Sequence, residues 1–277
     1  MSVQLAPRVR RDPLRDLLDG LLGRPVALTE LKYRPGRRRT LRAVGARRNA
    51  IVKVYASERA PTVAARLAAL GEGPAEPRLP EVLLLEPALR AVVLSEVPGP
   101  PLRDALLRGD VQACRRAGAA LGAWHRFWHS RGPASLRGHT VERELEILDR
   151  RAEGASPAVA AAVRSATAPL SAPWPLSTVV HRDLYEEQIL VGERIGMIDL
   201  DDAALGPPEL DVGNLLAHVE LLAVRSGRNL DPIAEQLLTG YAGSGPSLKR
   251  GLLDRCRRLT RLRLVCIHGP ALIEPPS

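Results

Sequence analysis

The chain has 277 residues, of which 45% are hydrophobic and 26% are charged, a composition typical of a globular rather than a disordered protein. A formal net charge of +9 would favour a nucleic-acid or membrane partner if the charge were concentrated on one surface. However, it comes almost entirely from arginines spread along the chain, and the basic stretches 34–48 and 255–263 contain almost no aromatic side chains on which bases could stack. We therefore interpret these stretches as solvated or phosphate-facing surface and predict no nucleic-acid partner.

The three cysteines and the N-terminus indicate where the protein resides. Cys114, Cys256 and Cys266 have no metal-binding spacing and lie in apolar helical patterns, which favours reduced, buried thiols in a cytoplasmic protein. The N-terminal segment is charged and lacks the apolar stretch of a secretory signal. No run of about 18 uncharged apolar residues is present, so we expect a soluble protein with no membrane partner.

Short apolar and β-branched runs dominate the first third of the chain. A Pro35-Gly36 turn separates the first two of these runs, and an Ala- and Leu-rich stretch after the third predicts a helix that stops at Gly71. The predicted strands are 26–33, 40–44, 50–55, 81–85 and 91–97, and the predicted helix is 61–70. This order predicts a small mixed, β-rich lobe.

The pattern becomes helical after Pro101. Apolar residues recur at helical spacing, and Ser156 and Asp231 are each followed by proline, which predicts that they cap helices. The predicted helices are 111–130, 140–152, 157–167, 208–224, 231–241 and 246–267, with one buried strand at 178–181. We therefore predict an N-terminal lobe over residues 1–96, a larger, mostly helical lobe over 97–277, and a cleft at residues 95–101.

The densest polar segment within apolar flanks is 179–202. Within it, two short strands flank Gly192, and pairing them back from that tight turn places Gln188 near Ile198 and Asp199. Because neighbouring strands lie about 4.8 Å apart, Gln188 and Asp199 can share one ion, and their oxygens suit Mg²⁺. Asp183 lies five residues before Gln188 and adds a carboxylate that need not be a ligand. Phosphoryl transfer needs this combination of a group that orients the hydroxyl and groups that hold a metal.

Two segments carry a family resemblance. HRDLYEEQIL resembles the HxDxxxxN catalytic loop of aminoglycoside phosphotransferases, choline kinases and protein kinases, and MIDLDDAALGPPELDVGNLLAH resembles the aminoglycoside phosphotransferase pattern IDxxDAxxGxPxxDxA. The resemblance implies an α+β, protein-kinase-like two-lobed fold and an ATP- and Mg²⁺-dependent enzyme that phosphorylates a hydroxyl group. It implies a catalytic loop with Asp183 as base, Asp199 and Gln188 as metal ligands, and His181 and Asp211 as bracing groups.

Gln188 stands where the family usually has asparagine, and its side chain is one methylene longer. Because it keeps the same carboxamide oxygen, we expect it to act as the asparagine would. Two further acids, Asp201 and Asp202, are either part of this site or solvent-exposed loop residues.

The N-terminal half resembles the same family less specifically. Lys53 in AIVKVY resembles the strand lysine that contacts the α- and β-phosphates of ATP or another nucleoside triphosphate, and its alternative is a lysine on a solvated strand face. LSEVPGPPL resembles the hinge whose backbone, here at Glu96 and Val97, binds the adenine edge. No GxGxxG is present, and no glutamate on the predicted helix is an obvious partner for Lys53.

The acceptor stays open at this stage. In the resembling families it is an aminoglycoside or other antibiotic, choline, a sugar or an amino acid, and a cationic acceptor would need acids near the cleft. The candidate acids are Glu142, Glu144, Glu146, Asp149, Glu220, Asp231 and Glu235, although the helical group among them is typical of a solvated face. Alternatives to a small-molecule kinase are a catalytically silent nucleotide-binding or interaction protein and, disfavoured by the missing glycine-rich loop, a protein kinase.

Overall fold

The computed structural model of the protein describes residues 12–269. The chain divides into two compact units. One holds the residues up to Ala68 together with Pro80–Glu96, and the other holds Ala69–Leu79 together with the residues from Val97 onward. Each unit has its own hydrophobic core.

The first unit is built on a five-stranded antiparallel sheet with the strand order β1-β2-β3-β5-β4. Its elements are α1 (Pro13–Leu22), β1 (Ala27–Arg34), β2 (Arg38–Val44), β3 (Asn49–Tyr55), α2 (Ala60–Leu70), β4 (Val82–Glu86) and β5 (Ala91–Ser95). All five predicted strands and the predicted helix are therefore confirmed, with ends that differ by one or two residues.

Helix α1 was not predicted, although the sequence carries its signals. Asp12 caps it by accepting a hydrogen bond from the backbone N–H of Leu14 at 3.1 Å, and Pro13 occupies the first helical position. Its leucines recur at three- and four-residue spacing, and Leu18 and Leu22 are fully buried in the core of the sheet. The charged flanking residues conceal this short amphipathic pattern.

The second unit is mostly helical. Its elements are α3 (Leu102–Arg108), α4 (Val111–Phe127), α5 (Val141–Glu153), α6 (Pro157–Thr167), β6 (Thr178–Val180), β7 (Ile189–Val191), β8 (Ile195–Met197), β9 (Ala204–Gly206), α7 (Pro208–Ser226), α8 (Asp231–Ser244) and α9 (Arg250–His268). The strands form two antiparallel pairs, β6 with β9 and β7 with β8. The predicted helices are confirmed, α9 begins four residues later than expected, and α3 and β9 were not predicted.

The two predicted helix caps have different outcomes. The Ser156 side chain accepts from the N–H of Val159, and Pro157 begins α6, as predicted. The prediction that Asp231 caps α8 is wrong, because Asp231 is the first residue inside the helix and Leu230 is the cap. The N–H of Asp231 instead donates to Oδ1 of Asn229 at 3.0 Å, so the sequence pattern was displaced by two residues.

Helices α4 and α8 are in direct backbone contact. A Cβ atom at Gly118 would lie 1.9 Å from the carbonyl oxygen of Leu237, and one at Gly240 would lie 2.0 Å from that of Arg115, so only glycine fits at these two positions. This close approach brings the buried side chains of His125 and Tyr241 together, with ring centroids 5.7 Å apart.

The cysteines are free thiols, as predicted. Cys114 and Cys256 are buried, and burial raises the pKa of Cys114 to about 12, whereas Cys266 is only partly buried. Between residues 12 and 269, no helix combines the length and the apolar character that crossing a bilayer requires.

Candidate active site

A buried carboxylate holds the loop 181–188 by accepting hydrogen bonds from its backbone. Asp211, in the first turn of α7, is fully buried, and its two oxygens accept hydrogen bonds from the backbone N–H groups of His181 at 2.7 Å and Arg182 at 2.8 Å. Arg182 has a φ of 75°, a left-handed conformation that non-glycine residues rarely adopt. Two charge-assisted bonds to successive amides stabilise this turn, and removing their acceptor would leave both amides buried and unpaired.

His125 of α4 extends this contact toward α8. Its Nε2 lies 3.2 Å from Oδ2 of Asp211, the oxygen that also accepts from the N–H of His181, and its Nδ1 lies 3.0 Å from the hydroxyl of Tyr241. Burial raises the pKa of Tyr241, so the hydroxyl stays protonated and donates a hydrogen bond to Nδ1. Nε2–H then donates to Asp211, which orients the carboxylate from the side opposite the loop. His125 and Tyr241 have no local sequence signal and were not predicted.

His181 is fully buried. Its Nε2 donates to the carbonyl oxygen of Ile198 at 2.8 Å, and its Nδ1 has no hydrogen-bond partner among residues 12–269. A ring in this position supports the loop and the strand end opposite it. Its burial favours a supporting role over direct contact with a substrate.

Unlike the buried Asp211 and His181, Asp183 has a side chain that is 56% exposed. Oδ1 lies 3.7 Å from Nη2 of Arg263, which projects from α9. The structure therefore presents Asp183 as an exposed carboxylate on a loop in which the preceding His181 and Arg182 are fixed by contacts with Asp211. Exposure of this kind is what a group that meets a substrate hydroxyl requires.

The hairpin has the register that the sequence predicted. The N–H of Ile198 donates to the carbonyl oxygen of Gln188 at 3.0 Å, so the backbones of the two residues are paired and Asp199 follows immediately. Asp199 has a φ of 66°, again left-handed. Conformations of this kind cost about 1–3 kcal/mol and cluster at functional sites.

Gln188 has an unsatisfied oxygen that fits a cation. Its side chain is only 4% exposed, and Oε1 accepts no hydrogen bond from the described residues. A buried carbonyl oxygen without a partner costs about 1–3 kcal/mol, which a bound cation would offset. Within residues 12–269, no group of three or more His, Cys, Asp or Glu side chains is placed to hold a metal. The side-chain oxygens of Gln188 and Asp199 are ligands of the kind that Mg²⁺ accepts, since this ion commonly takes few protein oxygens and completes its shell with water and phosphate.

The two acids that follow Asp199, Asp201 and Asp202, differ in their exposure to solvent. Asp201 is buried, so the interpretation of a solvent-exposed loop acid is wrong for it, whereas Asp202 is exposed.

In the first unit, Lys53 lies on the central strand β3, paired with Thr40 of β2 and Val92 of β5. It is 5% exposed, so the alternative of a solvated strand face is wrong. A buried lysine on an apolar strand needs a compensating negative charge. Helix α2 contains no acidic residue.

Glu96 forms an ion pair within the same unit. Its carboxylate accepts from Nε of Arg42 at 2.7 Å and from Nη2 at 3.3 Å, and this hydrogen bonding lowers the pKa of Glu96. Because the side chain is already paired, a nucleotide could use only the backbone at this position. Val97 is buried and likewise offers only its backbone.

The acids considered for a cationic acceptor lie in different surroundings. Glu144 is buried between His139 and Arg263, and Glu220 is paired with Arg257 and Arg261. The others on α5, which are Glu142, Glu146 and Asp149, are exposed, as expected of a solvated helix face.

A partly buried histidine packs beside the loop. The ring of His218, on α7, stacks on Tyr185 with centroids 5.1 Å apart. Burial lowers the pKa of His218 to about 3, and the positive charges of Arg263, His268 and Arg225 add to the effect.

Comparison with known proteins places the chain in a family. The phosphotransferase enzyme family matches residues 36–252. The chain belongs to this family, and the predicted family is confirmed. It is a small-molecule phosphotransferase, of the class of kinases that pass a phosphoryl group to a hydroxyl acceptor. Comparison with curated protein sequences returned no match.

Solved structures share the fold across nearly the whole chain. Choline kinase from Cryptosporidium parvum Iowa II has a TM-score of 0.64 at 10% identity, over 92% of this chain and 87% of that one. An aminoglycoside phosphotransferase from Streptomyces rimosus has a TM-score of 0.63 at 16% identity, over 90% and 96%. A spectinomycin phosphotransferase in complex with ADP and spectinomycin has a TM-score of 0.63 at 16% identity, over 94% and 87%. The α+β, protein-kinase-like fold is therefore confirmed.

The pKa of His218 predicts how stability depends on pH. Below about pH 6.5 the unfolded chain binds a proton at this residue, and the folded chain does not until about pH 3, so stability is lost as the pH falls through this range. His218→Phe keeps a ring against Tyr185 but cannot be protonated. We expect the variant to gain about 2 kcal/mol relative to wild type on going from pH 8 to pH 5. Urea unfolding at the two pH values measures this difference.

The control is the same change at the exposed His129, which should leave the pH dependence as it is in wild type. Equal pH dependence for His218→Phe and wild type would contradict the prediction.

Proposed function

We propose that this phosphotransferase transfers the γ-phosphoryl group of ATP to a hydroxyl group of a small molecule, with Asp183 as the base. One observation carries the proposal. A loop clamped by the buried Asp211 presents the exposed carboxylate of Asp183 in the same segment as the unsatisfied oxygen of Gln188 and the left-handed Asp199. An exposed base near oxygen ligands without a full protein cage is the arrangement that phosphoryl transfer requires.

The reaction assigns a separate task to each side chain. The acceptor hydroxyl donates a hydrogen bond to Asp183, its oxygen forms a bond to the γ-phosphorus, and the bond from that phosphorus to the bridging oxygen breaks, so that ADP leaves with the electron pair. The hydroxyl proton passes to Asp183. Gln188 and Asp199 would hold Mg²⁺, which when bound neutralises charge on the phosphate oxygens. Asp211 and His181 keep the loop in place throughout.

The nucleotide contacts remain predictions. Lys53 would contact the α- and β-phosphates, and the backbone at Glu96 and Val97 would bind the adenine edge. The burial of Lys53 supports its role, since a buried ammonium favours a strong anion. Two structural relatives were solved with ADP or AMP-PNP, which supports ATP as the donor.

The acceptor class is the finer part of the proposal. The structural relatives are described as kinases of choline, spectinomycin and aminoglycosides, and we propose an aminoglycoside-like antibiotic, a sugar or an amino alcohol as candidates. Two of the candidate acids for a cationic acceptor, Glu144 and Glu220, are already paired with arginines. Neutral hydroxyl compounds therefore belong in any screen beside the aminoglycosides. A cytoplasmic location agrees with the free thiols.

A catalytically silent, nucleotide-binding protein is the second candidate. The observation that favours it is Gln188 at the asparagine position, together with the absence of an acidic residue from α2. A thermal-shift titration with ATP and Mg²⁺, followed by phosphorylation of a panel of hydroxyl compounds, separates the two candidates. An enzyme forms a phosphorylated product and ADP, whereas a silent protein only binds.

The first prediction under this proposal concerns Asp183. Asp183→Asn removes the proton acceptor but keeps the size of the side chain, so ATP affinity should stay nearly intact while turnover falls about 10²–10⁴-fold. Turnover is measured as ADP release, and the exposed Asp149→Asn is the matched control, with an expected wild-type rate. Wild-type turnover in Asp183→Asn would exclude the residue as the base.

The second prediction concerns Gln188. Gln188→Asn keeps the carboxamide oxygen and should retain substantial activity and Mg²⁺-dependent ATP binding. Gln188→Leu has similar bulk but no oxygen, and it should lose most of both, because Mg²⁺ demands near-ideal octahedral oxygen coordination. ATP binding and turnover are followed across a Mg²⁺ titration. If the Leu variant equals wild type at low Mg²⁺, Gln188 only fills space and its role as a metal ligand is excluded.

A further inference from the structure

Arg263 links the C-terminal helix to the loop of the candidate base. It lies on α9, 80 residues after Asp183 in the chain, and its Nη2 is 3.7 Å from Oδ1 of that residue. The Arg263 side chain is only 10% exposed, whereas that of Asp183 is 56% exposed. The contact therefore joins a buried cation to an exposed anion at the edge of the loop.

The guanidinium of Arg263, which projects from α9, is fixed by side chains of two other helices. Nη1 lies 3.4 Å from Oε1 of Glu144 on α5, and Nη2 donates to Oδ1 of Asn214 on α7. Asn214 in turn donates from Nδ2 to the carbonyl oxygen of Leu184 at 2.6 Å, next to Asp183 in the chain. A planar guanidinium presents its donors in a rigid fork, so these partners determine where the remaining edge points.

Glu144 already balances the charge of Arg263. It is buried, and although burial alone would raise its pKa, the hydrogen bond from His139 at 2.8 Å and the charge of Arg263 outweigh this effect and lower it. The buried pair Glu144–Arg263 is therefore neutral without help from the loop. Arg263 does not need Asp183 to compensate its buried charge. The contact between them therefore matters for the position of the Asp183 carboxylate.

We infer that Arg263 is a positioning residue for Asp183. By attracting Oδ1, the guanidinium turns the carboxylate toward α9 and leaves Oδ2 to receive the acceptor hydroxyl. Asn214 hydrogen-bonds both the loop backbone at Leu184 and the Arg263 guanidinium, so it fixes the position of one relative to the other. This inference rests on the proposed function, because it assumes that Asp183 is the base.

Four variants test the inference. Arg263→Met removes the fork, and the double variant Glu144→Gln/Arg263→Met removes both buried charges, so that no uncompensated carboxylate remains in the core. Arg263→Lys keeps the charge without the planar fork. Arg261→Met is the matched control, because Arg261 lies on the same helix, is half-exposed and pairs with Glu220 rather than with the loop.

Each variant is measured for its melting temperature, its MgATP affinity and its rate of ADP release, with the best acceptor of the panel or with water as the acceptor. Rates are measured well below the lowest melting temperature and are expressed per MgATP-binding site, so that unfolded protein does not count. Asp183→Asn is the reference for complete loss of the base.

We expect Arg263→Met and the double variant to lose about 10- to 100-fold in kcat, the effect of a misplaced reacting group, with KM for MgATP changed less than twofold. Arg263→Lys should recover part of the lost kcat. The control Arg261→Met should keep the wild-type kcat. A double variant with wild-type kcat would overturn the inference, because Arg263 would then serve only to pair Glu144. If Asp183→Asn itself keeps wild-type turnover, the proposed base has failed, and the inference fails with it for that separate reason.

Discussion

The rest of the candidate site depends on two hydrogen bonds that the Asp211 carboxylate accepts from successive backbone amides. Its oxygens lie 2.7 and 2.8 Å from the amides of His181 and Arg182, in a place with no solvent exposure. A buried carboxylate is costly to desolvate unless strong donors surround it, and here two amides and His125 supply them. The chain can therefore turn through a left-handed residue and present Asp183 immediately afterwards.

The arginines explain how a chain of charge +9 can be a small-molecule enzyme. Several arginines of the second unit donate to backbone carbonyls or to acids of the same unit. Arg116 donates to the carbonyl oxygen of Gly192 at 3.1 Å, Arg126 to that of Gly245 at 2.7 Å, and Arg263 reaches Glu144, Asn214 and Asp183. The guanidinium is suited to this task because it offers several donors in a fixed plane.

Local patterns predicted the parts of the structure that local chemistry decides. The five strands of the first unit followed from β-branched runs, and the tight turn at Gly192 determined the β7–β8 register that pairs Gln188 with Ile198. Helices α1 and α3 were not predicted, since both are short and lie beside proline- and arginine-rich segments. The loop residues were found from the motif spacing. In contrast, Arg263, His125 and Tyr241 come from distant helices with no local signal, and only tertiary packing brings them to the loop.

The protection of two amides against hydrogen exchange tests the central claim most directly. If the Asp211 carboxylate holds the loop, the N–H groups of His181 and Arg182 exchange only when the second unit opens, at rates close to those of the buried helix α7. Residue-resolved hydrogen–deuterium exchange of the wild-type protein measures this, with the exposed turn at Gly36 as the fast reference. Exchange of both loop amides as fast as that turn would contradict the account, because the carboxylate could not then be bound to them.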